Sequence, residues 1–191
     1  MNKLLFKILK LYGWKIHDHQ PDGVRKAVIC VAPHTSNWDF LIGKIAFSHY
    51  GIPTKFLIKK ELFIFPFGFL LRRLGGIPVD RNQKSHITEQ AVSYFNSNDD
   101  FFLVFTPEGT RDYQPQWKKG FYYIALNANV PIYLGFIDYK NKTGGFEGKF
   151  IPTGDVEKDL LEIKRRLMKY KGKRPENGIR TEEVDESLFF N

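Results

Sequence analysis

Short apolar runs alternate with helix-spaced stretches along most of this chain, and a chain patterned that way has few ways to fold. Residues 28–32 are one such run; they end at a Pro-His loop and read as a buried strand. Residues 39–50 follow with helical spacing at Leu41/Ile42 and Ile45/Ala46, and Gly51 is a natural stop. Residues 77–79 read as a strand, 85–95 as a helix with Ile87, Ala91, Tyr94 and Phe95 inward, 101–105 as a strand, 122–127 as a helix and 132–137 as a strand. Asp155 then caps a last helix whose Val156, Leu160, Ile163 and Leu167 share one stripe. Strands separated by helices predict a single α/β domain, a mostly parallel sheet flanked by helices. A length of 191 residues suits one core and is too short for two.

Two segments outside this alternation are apolar and basic together. Lys3, Lys7 and Lys10 fall on one face of an N-terminal helix; Leu4, Ile8, Leu11 and Tyr12 fall on another, with Leu5 and Leu9 beside them. Residues 1–15 hold four Lys and no acid, the pattern of an amphipathic helix lying in a membrane interface, although a surface helix packed on the domain has the same spacing. Residues 56–71 carry Phe63, Ile64, Phe65, Phe67, Phe69, Leu70 and Leu71, bracketed by Lys59, Lys60, Arg72 and Arg73. Pro66 and Gly68 argue against a regular helix there. The segment is read either as an aromatic loop facing acyl chains or membrane, or as core with snorkelling cations at its ends.

The organisation expected is an amphipathic membrane-associating helix at 1–20, a catalytic domain at 21–170 and a C-terminal tail at 171–191. The tail's last 11 residues, 181–191, hold four acids and no base and end Leu-Phe-Phe-Asn, so it is either disordered or docked by its aromatics. The longest charge-free run, 120–137, is interrupted by Asn127, Asn129 and Pro131 and reads as helix, turn and strand. With no spanning segment and no secretory signal read from the sequence, the expected location is peripheral, on the cytoplasmic face of the cell membrane.

A net charge of +8 and an aromatic content of 16% point to an anionic partner: nucleic acid, an anionic membrane or a phosphate-bearing substrate. Lys and Arg are scattered and no nucleic-acid module is recognised, so nucleic acid is not expected. A single cysteine, Cys30, excludes an intrachain disulfide framework and a multi-Cys zinc site. His17 and His19 have only Asp18 and Asp22 nearby and read as loop residues, so no metal is expected.

Three turns carry residues suited to chemistry. In His34-Thr-Ser-Asn-Trp-Asp39 the His follows a strand and the Asp opens a helix. Such a turn can fold the carboxylate onto one ring nitrogen, fixing the tautomer and raising the basicity of the other. This is the His-Asp half of a triad without a protein nucleophile, so the hydroxyl would be the substrate's own. With 5 His and 11 Asp, chance supplies about 0.3 such spacings, and a helix N-cap Asp beside a structural His is the plainer reading of the pair alone. Thr106-Pro-Glu-Gly-Thr-Arg111 follows the strand at 101–105, at the edge where α/β sheets bind ligands. Arg111 offers a planar fork for phosphate, Thr110 a hydroxyl and Gly109 close backbone approach, while Glu108 could orient the fork or bind a polyol. Gly75-Gly-Ile-Pro-Val-Asp-Arg81 adds Arg81 as a second phosphate ligand, and Lys118 with Lys119 could add a third cationic group.

Taken in order, His34-x4-Asp39, Gly76-Ile-Pro-Val-Asp-Arg81, Pro107-Glu-Gly-Thr-Arg111 and Val130-Pro-Ile132 resemble the four motifs of the glycerolipid acyltransferases, above all the bacterial 1-acylglycerol-3-phosphate acyltransferases. The resemblance covers roughly residues 25–140. It departs at Thr106, at Pro78 and after Pro131, positions that shape pockets. It implies transfer of an acyl group from acyl-CoA or acyl carrier protein to a lysophospholipid hydroxyl at a membrane surface, with no cofactor. His34 and Asp39 would be catalytic; Arg81, Glu108, Gly109, Thr110, Arg111 and Lys118 would bind substrate. Other lyso-lipid acceptors, such as ornithine- or amino-acid-lipid precursors, and a non-catalytic lipid-binding protein remain open alternatives at this point.

Overall fold

From its amino end the chain forms α1 (Asn2–Leu11), β1 (Lys15–Ile16), β2 (Lys26–Val31), α2 (Trp38–His49), β3 (Thr54–Lys59), α3 (Phe67–Arg73), β4 (Gly76–Val79), α4 (Lys84–Ser97), β5 (Phe101–Phe105), α5 (Gly120–Asn127), β6 (Ile132–Asp138), β7 (Thr143–Phe150) and α6 (Val156–Leu167). This is a computed structural model, and it describes residues 2–17, 21, 23–80 and 84–184. One seven-stranded sheet runs β1-β7-β6-β2-β5-β3-β4, with every pairing parallel except β6 with β7.

Strand β2 lies at the middle of the sheet. Alternate residues of β2 feed two cores. Val28 and Cys30 pack with Phe121 and Ile124 of α5 and Ile163 of α6, whereas Ala27, Ile29 and Val31 pack with Phe47 of α2. Because β2 to β5 run parallel, the segments leaving their carboxyl ends gather along one edge of the sheet. Those segments are the His34 loop, the aromatic stretch after β3, the Asp80 turn and the turn from Thr106 to Arg111.

Three parts differ from the expectations above. The stretch at 56–71 is neither one loop nor core. Its start is the end of β3, a 3-10 turn spans Lys60–Leu62, and α3 follows. Pro66 precedes α3 and Gly68 lies in its first turn, positions where missing donors and small side chains cost little. Ile64, Phe65, Phe67, Phe69 and Leu70 are exposed, Phe65 at 95%. Strand β7 escapes pattern reading because Gly144, Gly145 and Gly148 replace the apolar alternation; it pairs antiparallel to β6 around a bulge at Leu134/Gly135. Of the residues read as a tail, 171–184 lie against the domain. Glu183 there forms a buried ion pair with Lys164 (2.7 Å), and Val184 is buried; the aromatics Phe189 and Phe190 lie outside the described residues.

Helix α1 docks on α2 through the residues beside its expected apolar face. Leu9 packs with Trp14, Ile42 and Ile137, and the Phe6 ring stacks on His49. Leu4, Ile8, Leu11 and Tyr12 face solvent, with Lys7 and Lys10 also exposed. None of the described helices is long and apolar enough to cross a membrane.

A buried carboxylate locks α5 to α6. Asp159 accepts from the Tyr122 hydroxyl (2.7 Å), from Thr153 N–H (2.7 Å) and from the Thr153 hydroxyl (2.8 Å), and the Asp155 side chain caps α6 by accepting from Lys158 N–H. Asp159→Ala leaves the buried Tyr122 hydroxyl without its acceptor and unties Thr153, and we expect it to cost about 3 kcal/mol in a denaturant melt with little effect on the opposite face of the sheet.

Candidate active site

The turn between β2 and α2 closes on itself through one carboxylate. Asp39, in the first turn of α2, is buried, and its Oδ2 meets three partners: His34 Nδ1 at 3.0 Å, Thr35 N–H at 2.9 Å and Ser36 N–H at 3.0 Å. Its Oδ1 accepts from the Tyr139 hydroxyl at 2.6 Å. Burial by itself would raise the Asp39 carboxyl, but the hydrogen bonds from His34, Tyr139 and the Ser36 backbone outweigh it and hold its pKa below the ordinary value. The carboxylate therefore stays ionised. With Nδ1 held, the imidazole presents Nε2 to whatever enters the site. The spacing expectation for His34 and Asp39 is met in the geometry, and the N-cap alternative is not: the Asn37 cap position makes no side-chain capping bond, and the Asp39 carboxylate turns back to the loop.

Tyr139 is the residue that sequence reading missed. It lies 100 positions from Asp39, just past β6, and no local pattern links the two. Burial, with the Asp39 hydrogen bond and charge behind it, pushes its phenol well up, so it is a permanent donor. Its ring packs edge-on against Trp14 at a 5.1 Å centroid distance.

Glu108 has a different position from the one expected of a substrate or Arg111 partner. It is 5% exposed beneath the His34 loop; Oε1 accepts from His34 backbone N–H at 3.0 Å, and Oε2 is buried without a hydrogen-bond partner among the described residues. The reason is the turn itself. Pro107 and Glu108 are buried at the end of β5, directly beside β2, so the carboxylate points across to the neighbouring loop while Gly109 and Arg111 are exposed. Burial drives the Glu108 pKa up to about 7.

The other expected residues are arranged around this pair. Gly109 has φ +65, and a Cβ there would strike the Lys118 side chain, which lies across it. The close approach expected at Gly109 is thus made by Lys118. The Thr110 hydroxyl accepts from Asp112 N–H within its own turn. Arg81 lies outside the described residues, as do His19, Asp18 and Asp22; the ring of His17 packs edge-on against Phe136. Cys30 is fully buried, and burial raises its thiol well above the ordinary value, which leaves it without nucleophilic character.

A cavity of about 890 Å³ joins these groups. Exposed Arg111 and Lys118 line it together with His34, and its buried walls include Val31 and Val104 from the sheet and Phe47 of α2. An imidazole held by a carboxylate, two cations and an apolar recess thus share one space, an arrangement with the groups to take a proton from a hydroxyl on an amphiphile whose anionic end and hydrocarbon part lie apart.

A protein-family model described as Acyltransferase matches residues 15–133, from β1 into β6. The chain belongs to the acyltransferase family. Within it, this acyltransferase has the fold of a solved structure, the 1-acyl-sn-glycerophosphate (LPA) acyltransferase PlsC from Thermotoga maritima: the TM-score is 0.57 at 19% identity over 86% of this chain and 75% of that one. No curated protein sequence matches the chain. The expected family, α/β fold and enzymatic class all hold.

The raised Glu108 pKa gives the acyltransferase a testable pH dependence. The folded state prefers the neutral acid, so its stabilising contribution is complete below pH 4.5 and is lost as pH rises through about 7. Glu108→Gln keeps an acceptor for His34 N–H without the charge. Its stability should gain on the wild type across that window, by up to about 3 kcal/mol, and stay level beyond it; melting curves at pH 4, 6 and 8 read this out.

Proposed function

We propose that this acyltransferase moves a fatty acyl group from an acyl thioester, acyl-CoA or acyl carrier protein, to the free hydroxyl of a lysophosphatidic-acid-like acceptor in phospholipid synthesis. The observation that carries the reading is the His34–Asp39 pair opening onto a cavity lined by cations and hydrocarbon. In this reading His34 Nε2 takes the proton of the acceptor hydroxyl as its oxygen attacks the thioester carbonyl, and Asp39 stabilises the imidazolium that forms. The tetrahedral intermediate collapses by expelling the thiolate, which takes back that proton. No acyl-enzyme is required, in keeping with the inert Cys30.

Arg111 and Lys118 supply positive charge for the acceptor phosphate, Arg81 is assigned beside them on its motif alone, and Gly109 lets Lys118 lie close. Thr110 and Glu108 act by shaping the turn and bracing the His34 loop. The recess between Phe47 and Val104 is of a kind to hold an acyl chain.

Peripheral attachment to the cytoplasmic face of the membrane belongs to the same reading. Apolar side chains exposed on α1 and from Ile64 to Leu70 far exceed scattered surface apolarity, and Lys7, Lys10, Lys59, Arg72 and Arg73 stand exposed beside them. Each cation near an anionic bilayer adds about 1 kcal/mol of reversible attachment. The aromatic stretch also leaves the same sheet edge as His34, so a membrane meeting those rings would face the cavity.

Mass spectrometry of products formed from lysophosphatidic acid and mixed acyl thioesters should show phosphatidic acid, and His34→Ala should lower turnover by about 10²–10⁴ while the fold melts normally. Wild-type turnover in that variant removes the general base, and product only from an uncharged or amino-acid lipid acceptor removes the phosphate. A second expectation concerns Arg111→Ala, which should raise the acceptor KM by about tenfold or more with kcat less affected, measured by steady-state kinetics at fixed donor.

A further inference from the structure

The chain after α6 returns across the carboxyl edge of the sheet and touches both loops of the site. It is fastened at its start, where Tyr139 N–H donates to the Lys171 carbonyl (2.8 Å), and at its end, where Glu183 meets Lys164. Between these points Arg174 N–H donates to the buried Thr35 hydroxyl (3.1 Å), and Gly172 lies so close to Thr35 that a Cβ would collide with it. Three residues on, the Asn177 amide donates to the Arg111 carbonyl at 2.9 Å. Thr35 in turn gives its own N–H to Asp39.

The turn carrying Arg111 has little else to hold it. Within residues 110–116, Asp112 N–H bonds to Thr110 and Gln116 N–H to Gln114, both local. Among the described residues, its ties to other elements are Asn177 on Arg111, the Tyr113 hydroxyl with Glu183, the Arg180 guanidinium 3.6 Å from the Tyr113 ring centroid, and Lys164 on the Pro115 carbonyl (2.6 Å). All four come from the returning segment or from the lysine that anchors it. Arg111 makes one hydrogen bond among the described residues, the one from Asn177.

We propose that residues 172–180 are a strap that sets the distance between the His34 base and the Arg111 cation, with Asn177 as the positioning residue for Arg111 and Thr35 as the strap's hold on the His34 loop. The strap contributes no group to the reaction. It fixes where the acceptor's anionic end is held relative to the imidazole, and a small displacement there misplaces the attacking hydroxyl. This rests on the reading of Arg111 as a headgroup cation.

The test is a double-mutant cycle on the full chain, with lysophosphatidic acid as acceptor and one acyl-CoA as donor. Asn177→Asp keeps the side-chain volume and replaces the donor with an acceptor that repels the Arg111 carbonyl; Asn177→Ala is the second variant. Each should raise the acceptor KM about tenfold, leave kcat within about twofold and leave the melting temperature unchanged. In an Arg111→Ala background the same substitutions should add nothing, because their effect passes through Arg111. If Arg111→Ala raises KM and the Asn177 variants do not, the strap is overturned and the headgroup reading stands. If the Asn177 variants lower activity equally in both backgrounds, their action does not run through Arg111 and the proposal fails. If Arg111→Ala itself leaves KM unchanged, the headgroup reading falls and the strap with it.

Discussion

One ionised carboxylate organises the site. Burial disfavours the charge on Asp39, and it stays ionised because four donors converge on it: an imidazole, two backbone N–H groups and a phenol. Removing any one leaves the others sharing a desolvated charge. The same four bonds fix the His34 ring, curl the loop into the start of α2, and draw in Tyr139 from beyond β6. The chemistry and the local fold are therefore one arrangement, and the sheet's role is to bring its contributors to a common edge.

Glu108 is the second buried carboxyl and follows opposite logic. It has one strong donor and an oxygen with no partner among the described residues, so its burial is uncompensated and its proton is retained to near neutrality. Two acids about the same loop thus differ in ionisation: hydrogen bonds outweigh burial at Asp39, whereas burial, with the Asp39 charge beside it, prevails at Glu108. The charged one lies against the imidazole, and the one with the raised pKa braces the backbone behind it, which lessens the negative charge on the site up to about pH 7.

The framework was legible in the sequence wherever a structural requirement leaves a local mark. β5 matches its expected limits at Phe101–Phe105 because an uninterrupted aromatic and aliphatic run has nowhere to go but a central strand. The N-cap at Asp155 and the stripe from Val156 to Leu167 are likewise local, as is the five-residue step from His34 to Asp39. Legibility ended where function depends on distant or unpatterned residues. β7 is glycine-rich and pairs through its backbone, so its sequence carries no alternation. Tyr139 reaches Asp39 from the end of the neighbouring strand β6, 100 positions away in sequence. Glu108 misled because a cation, Arg111, stands three positions on in sequence, while its neighbour in space is the N–H of another loop. Pro66 and Gly68 misled because a breaker inside a segment is also a starter for the helix that follows.

The hydrogen bond between Thr35 and Arg174 joins residues 139 positions apart. During synthesis the His34 loop and the Arg111 turn leave the ribosome long before the segment that stitches them together. The bonds from Arg174 to Thr35 and from Asn177 to Arg111 therefore form only after both loops have been made, and the order of synthesis separates the folding of each loop from their fastening to one another.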